Sequence, residues 1–289
     1  MNLYITLEEI RNAIKAGASE AANDDLLLLY AEVASRLLDN EANRKFYPRL
    51  ETRYYDHPVN ASNKRRIMLD DDLVSLSSFT NGDGSDLPTT EFLQHPINED
   101  VKYALELEPG STYSWELDLT NGKYQKACLA VAGYWGFHMD WSNAWDSVDT
   151  VGDTGGIDAS STSLTVSDID GDNSYGYGPR ISRGDLIQIE SEMCYVTAAA
   201  TDTNIATLVR AVNGTTAAAH ANGKVVEVFR VWPMAKHIVR RLAVWLYKQN
   251  FAPLDVDRPA ITPDGVTILP MALPKDIQYM ISLIRRPEA

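Results

Sequence analysis

The residues whose types and spacing could do chemistry are few, and the densest set is acidic. Asp168, Asp170 and Asp172 alternate in the run DIDGDN and could turn several hard oxygens toward one cation. A helix-loop-helix calcium loop needs glycine at its sixth position and glutamate at its twelfth. Here glycine comes fourth and Pro179 twelfth, so the spacing favours a solvated turn over a metal site. Cys128 and Cys194 stand far apart with neither a CxxC nor a histidine cluster beside them, which reads as two buried thiols. His57, His95, His138 and His237 are isolated, and His220, in AAAHANG, reads as a turn residue. No GxSxG, HExxH, Walker A or GxGxxG run is present. The expectation is a protein that is not an enzyme and holds no cofactor, although a site built from distant residues leaves no such trace.

The second dense set is aromatic. Tyr134, Trp135, Phe137, Trp141 and Trp145 crowd the stretch KACLAVAGYWGFHMDWSNAWDS, with Gly133 and Gly136 permitting close backbone approach. Three readings stay open for it: a corner that closes a β core, a protein-protein contact, or a platform on which sugars stack.

Among the elements that must position these residues, the longest amphipathic segment runs from Asn23 to Pro48. Leu26, Leu29, Tyr30, Val33, Ala34, Leu37 and Leu38 recur at the i, i+3, i+4, i+7 spacing and predict the buried face of a helix of about five to six turns. Asn23 is placed to cap it, and Pro48 to stop it. Before it, Thr6 and Glu9 have the spacing of a capping box, and Gly17 marks a stop. Near the other end, Val231-Trp232-Pro233-Met234 opens a helix whose Ala235, Ile238, Val239, Leu242, Trp245 and Leu246 share one face. A Pro- and Asp-rich stretch with a short strand over Val266–Leu269 follows. A last helix, Pro274–Arg286, sets Ile277, Met280, Ile281 and Ile284 on one side.

Between these ends the pattern is β. Strands are expected near Thr52–Asp56, Arg66–Leu69 and Leu73–Thr80, with turns at Asn81-Gly82-Asp83-Gly84 and Asn121-Gly122. Residues 152–229 read as an inserted module with strands at Ser163–Val166, Leu186–Glu190, Met193–Ala198, Ile205–Arg210 and Lys224–Phe229, enough for a small barrel or sandwich. The expected fold is α+β: a helical bundle built from the N- and C-terminal helices, with a β-rich middle and the inserted β domain. The domains are then residues 1–151 plus 230–289, and residues 152–229.

The 289 residues are 45% hydrophobic, which allows a sizeable core, and no apolar run of about 18 residues suits a membrane span. The Met1 end lacks the basic and apolar regions of a secretory signal, so synthesis in a cytosol is expected. The formal charge of −14 is uneven: residues 66–150 carry −11 and residues 230–289 carry +4. Most of the surface therefore repels nucleic acid, which excludes a sequence-specific DNA or RNA reader.

Residues 4–80 resemble the head-tail adaptors, or head-completion proteins, of tailed bacteriophages. The features that carry the resemblance are a short capped helix, a long helix ending at Phe46-Tyr47-Pro48, the strand Thr52–Tyr55, and the run DDLVSLSSF ending at Phe79. The aromatic run from Gly133 to Trp145 looks like one in larger adaptors. The segments GDLIQIESEMCYVTA and LVRAVNGTTAAAHANGKVV are similar to a small module that decorates phage virion proteins. The resemblance implies a virion protein of the head-tail neck, a ring of about twelve copies under the portal protein, and an attachment surface for tail or nozzle proteins. Genome DNA would pass through such a ring without sequence-specific binding, and Asp70, Asp71 and Asp72 are candidates to line the channel. The family's C-terminal segment commonly reaches the portal, which makes Ile277, Met280, Ile281, Ile284, Arg285 and Arg286 candidate portal contacts. The alternative is a carbohydrate- or host-surface-binding module.

Overall fold

The computed structural model describes residues 2–15, 23–59, 61–120, 122, 124–174, 176–250, 260–261, 267–268 and 273–286. They are mostly β. Strands β1–β12 form two six-stranded antiparallel sheets, and among the described residues there are four α-helices: α1 (Leu7–Ile14), α2 (Asp24–Ala42), α3 (Pro233–Asn250) and α4 (Lys275–Ile284). The expectation of a helical bundle as the framework is thereby overturned. The helices do pack on one another. Each sheet, however, has an apolar core of its own, and the periodic helix signals at the chain ends overshadowed weaker strand signals between them.

The chain divides into two compact units: one of Met1–Asn43, Asp146–Arg210 and Ala217–Ala289, the other of Arg44–Trp145 and Ala211–Thr216. In the second unit the sheet order is β1 (Arg49–Tyr55), β6 (Leu129–Trp135), β2 (Arg66–Thr80), β5 (Lys102–Leu107) and β4 (Phe92–His95), with β3 (Asp86–Leu87) folded back on β2. The two strands expected over 66–80 are one strand. Its first half pairs with β5 and its second with β6, and the register slips between Met68 and Leu73. The expected turn at Asn81-Gly82-Asp83-Gly84 joins β2 to β3. The buried Asn81 side chain accepts from Gly82 N–H (3.1 Å) and Glu116 N–H (2.9 Å) and donates to the Ser114 carbonyl (2.9 Å). Glycine is required at two places on β6 and its exit. A Cβ at Gly133 would sit 2.2 Å from the Ser75 carbonyl oxygen, and one at Gly136, where φ is +144°, 2.4 Å from that of Tyr47. The expected turn at Asn121-Gly122 involves Asn121, which lies outside the described residues.

In the first unit the sheet runs β7 (Trp145–Thr150), β12 (Val225–Phe229), β9 (Leu186–Ile189), β10 (Glu192–Ala200), β11 (Ile205–Val209) and β8 (Ser163–Thr165). Its two ends meet. Gly152 N–H donates to the Thr165 carbonyl (2.8 Å), and the Asp149 carboxylate accepts from Ser167 Oγ (2.8 Å) and Asp168 N–H (3.0 Å). The sheet thus curls around Leu164, Ile187, Ile189, Val196 and Val226.

The helices of this unit refine the expectations. At α1 the capping box forms, with Thr6 Oγ1 accepting from Glu9 N–H (3.3 Å) and Glu9 Oε2 from Thr6 N–H (3.1 Å). The helix ends on left-handed Lys15, and the expected Gly17 stop lies outside the described residues. For α2 two expectations fail and a third holds in part. Asn23 makes no side-chain cap, and the helix ends at left-handed Asn43 instead of Pro48; of the expected face Ala34 and Leu38 are buried, but they share that side with Leu27, Ala31, Ser35, Asp39 and Ala42. Leu29 and Val33 are instead exposed, at 52% and 44%. The unbroken run Leu26–Leu29 puts leucine on every side of the first turn, so periodicity alone could not choose the face. The polar members of the buried face are satisfied by Tyr4, whose N–H donates to Ser35 Oγ (3.2 Å) and whose hydroxyl donates to Asp39 Oδ1 (2.5 Å). Half of the expected strand over Val266–Leu269, its two end residues, falls outside the described residues; its Thr267–Ile268 portion pairs as β14 with β13 (Ala260–Ile261).

Candidate functional site

The acidic run Asp70-Asp71-Asp72 occupies the register slip of β2, where successive side chains are released from strict alternation. Three arginines meet the three carboxylates. Asp70 meets Arg53 (3.1 Å) and accepts from the Tyr55 hydroxyl (2.5 Å). Asp71 meets Arg49 (2.5 Å) and Arg53 (2.8 Å). Asp72 is buried beside Arg44 (3.4 Å), whose guanidinium lies 4.0 Å from the Phe137 ring centre and donates to the Tyr103 hydroxyl (3.0 Å). Burial acts to raise the Asp70 pKa, but the Tyr55 hydroxyl and Arg53 together hold it below the ordinary carboxylate value. The three acids are therefore largely compensated within the unit.

The aromatic set divides between two sides of β6. Trp135 and Phe137 are inside: Trp135 donates from Nε1 to the Glu51 carbonyl (3.0 Å) and stacks near Tyr55, and Phe137 meets Phe46 edge-on. Tyr134 and Trp141 pair at 5.7 Å between ring centres, both partly buried, and Trp145 is partly buried at the start of β7. Alternation along the strand separates these rings, so they do not present one continuous platform.

The most concentrated charge cluster is one that the sequence reading missed. His220 is a buried residue of the curled-sheet unit, not a plain turn residue. Its Nδ1 lies 2.9 Å from Glu190 Oε2 and its Nε2 2.9 Å from the fully buried Glu192 Oε2. Glu192 also accepts two hydrogen bonds from Arg210 and one from Ala218 N–H (2.9 Å), while Lys224 caps Glu190 (2.6 Å). Arg210 further donates to the carbonyls of Asp158, Ser161 and Ala218. The only sequence trace is the pair Glu190 and Glu192 flanking the β9–β10 turn, since their partners lie 18 to 34 positions away.

In the loop of Asp168, Asp170 and Asp172, the Arg180 guanidinium stands beside the first of the three carboxylates. Arg180 donates to the Asp172 carbonyl (2.8 Å) and pairs with Asp149 (3.4 Å) and Asp168 (3.7 Å). Among the described residues no three His, Cys, Asp or Glu side chains converge as a metal site.

At the C-terminal end, the candidate portal face is already occupied. Ile277, Ile281 and Ile284 are buried, Met280 is partly buried, and α4 packs on α2 and α3. Arg285 Nε donates to the Glu41 carbonyl (2.8 Å), and Arg286 N–H to that of Ala42 (2.9 Å). Tyr279 and Leu283 point outward instead, 64% and 58% exposed. Helices α1, α3 and α4 border a groove of about 660 Å³ whose charged rim includes Arg240, Arg241, Lys248 and Glu9. There Arg241 pairs with Asp276, and Lys236 with Glu9.

Chemically these clusters are built to hold structure. Burial, reinforced by Glu192, pushes the Cys194 thiol up to about 12, and burial raises Cys128 as well, so neither is a nucleophile at neutral pH. Both nitrogens of His220 are engaged by carboxylates, which leaves no ring position for a substrate. No helix is long and apolar enough to cross a membrane, among the described residues. Comparison with protein-family profiles, curated proteins and solved structures finds no match for the chain.

Proposed function

We propose that the protein is a structural component of a tailed-phage virion, a head-tail adaptor that forms a ring beneath the portal, extends the DNA channel and offers the tail its attachment surface. The observation that supports this reading most is the order of elements over residues 7–80: capped α1, long α2 ending at Asn43, the short Phe46-Tyr47-Pro48 link, then β1 and the long β2. These are the features on which the adaptor resemblance rests. In this reading the channel field comes from exposed carboxylates such as Asp83, Asp86, Glu99, Asp100 and Glu108, because Asp70, Asp71 and Asp72 are compensated by arginine. The carbohydrate-binding alternative has less to stand on, because Trp135 and Phe137 face inward.

Electron microscopy of portal-bearing heads, prepared with and without the protein, tests the proposal. The expected result is an added ring of density that follows the portal's rotational symmetry. A closed two-fold dimer that ignores the portal would overturn it.

A further inference from the structure

Helix α2 is apolar on two opposite sides, and among the described residues only one of them is fully buried. Leu27, Ala31, Ala34 and Leu38 are buried. On the far side Leu26, Leu29, Val33 and Leu37 make a stripe about three turns long, with Leu29 and Val33 at its exposed crest. Single exposed leucines are ordinary, but a helix apolar on both faces is normally covered on both. Among the described residues, the other large apolar side chains exposed on helices are Tyr279 and Leu283 of α4. Both pairs have the same i, i+4 spacing, which suits ridge-to-groove packing of one helix on another.

Charge decides which surface meets which. The α2 stripe is bordered by Asp25, one turn before Leu29, and by Glu32. The bases near it are already engaged, Arg36 by the Asn2 carbonyl and Asp39 and Arg183 by Asp25. Two α2 stripes laid parallel would set Asp25 on Asp25 and Glu32 on Glu32. Laid antiparallel they would offer Asp25 only the occupied Arg36, so self-pairing gains no new ion pair in either sense. The outer face of α4 instead carries exposed Lys275 one turn before Tyr279. The two surfaces therefore match in order: acid, Leu29, Val33 on α2 against base, Tyr279, Leu283 on α4, each at steps of four. Laid parallel, they bring Lys275 to Asp25, whose side chain is 89% exposed and meets Arg183 through one oxygen only (2.9 Å).

We infer that the outer stripe of α2 (Leu26, Leu29, Val33, Leu37) receives Tyr279 and Leu283 on α4 of a second copy of this chain. Such a contact joins unlike surfaces and leaves a free α2 stripe at one end and a free α4 face at the other, so it propagates from copy to copy. The inference rests on the proposed adaptor reading only where it names this contact as the seam of the ring.

Cysteine cross-linking of the full-length protein tests it. The native thiols, Cys128 and Cys194, are buried and give little background. The variants Val33→Cys and Leu283→Cys, each oxidised alone over a concentration series, are expected to stay uncross-linked, and their mixture to yield a disulfide-linked dimer. The double variant is expected to give a ladder of dimers, trimers and higher species. Cross-linking of Val33→Cys with itself, of Leu283→Cys with itself, or no cross-link in the mixture at any concentration overturns the inference. A ladder from a protein that adds no ring to portal-bearing heads would uphold this contact and sink the adaptor reading, so the two fail separately.

Discussion

Arg210 grips Glu192 through two parallel hydrogen bonds, Nε to Oε1 at 2.7 Å and Nη2 to Oε2 at 2.6 Å, with 6% and 0% of the two side chains exposed. A carboxylate with no access to water depends on such a partner. Replacing Arg210 by alanine takes the paired guanidinium from the buried Glu192, which keeps His220, Ala218 N–H and the Cys194 thiol among its neighbours, at an expected cost of about 3–5 kcal/mol. Urea unfolding of the variant against the parent measures this. A loss below about 1 kcal/mol would show that the cluster does not hold the curled sheet together.

Asp185 makes stability depend on pH. Burial raises its pKa to about 7; Glu9 adds to the rise, while Ser182 N–H and Lys236 oppose it. The folded protein therefore prefers the neutral carboxyl. Its stabilising contribution is complete below the unfolded-state value of about 4 and disappears as pH climbs through 7, for a total of up to about 4 kcal/mol. Asp185→Asn, which keeps an acceptor for Ser182 N–H, should flatten the melting-temperature profile between pH 5 and 8. It should also raise the melting temperature at pH 8. An unchanged profile would remove Asp185 as the source.

The face of α2 can be checked by truncation. Leu38 is fully buried, and Leu38→Ala should cost about 2–5 kcal/mol. Leu29→Ala, on the outer stripe, should fall within about 0.5 kcal/mol of the parent in dilute protein. Equal losses at the two positions would restore the face expected from periodicity.

Gly136 combines a positive φ with a close approach to the Tyr47 carbonyl. Gly136→Ala is expected to destabilise by about 1–3 kcal/mol, with the loss appearing in the second unit's transition if the two units melt apart. Calorimetry reads this directly.

Legibility in the sequence followed the range of the interactions. The Thr6/Glu9 capping box and the Asn81–Gly84 turn depend on neighbours within a few positions, and both could be read. The five module strands were also found within a few residues, because β-branched runs there alternate with Gly, Asn and Asp turns. Strand β5 went unread because KYALEL is composed largely of good helix formers, and its place beside β2 is fixed by tertiary pairing. His220 looked like a turn residue because what surrounds it comes from Glu190 and Glu192, on a hairpin about 30 positions away. The division of Asp70, Asp71 and Asp72 among three arginines was equally hidden, since it depends on a register slip that no local pattern announces.

The segment Ala211–Thr216 belongs to one unit while the chain on either side of it belongs to the other. The Asn213 carbonyl accepts from Leu50 N–H at 2.8 Å, so β1 is completed by residues made some 160 positions later. On the ribosome, Arg44–Trp145 emerges as a nearly complete sheet before the strap that finishes it exists, and α1 and α2 must wait longer still for α3 and α4. Synthesis therefore reaches residue 146 with one unit almost whole and the other holding only its first two helices, and the curled sheet is added before α3 arrives. During that interval the part of α2 that α3 and α4 later cover is exposed, so a nascent chain stalled between residues 146 and 233 would carry an apolar surface that the finished molecule hides.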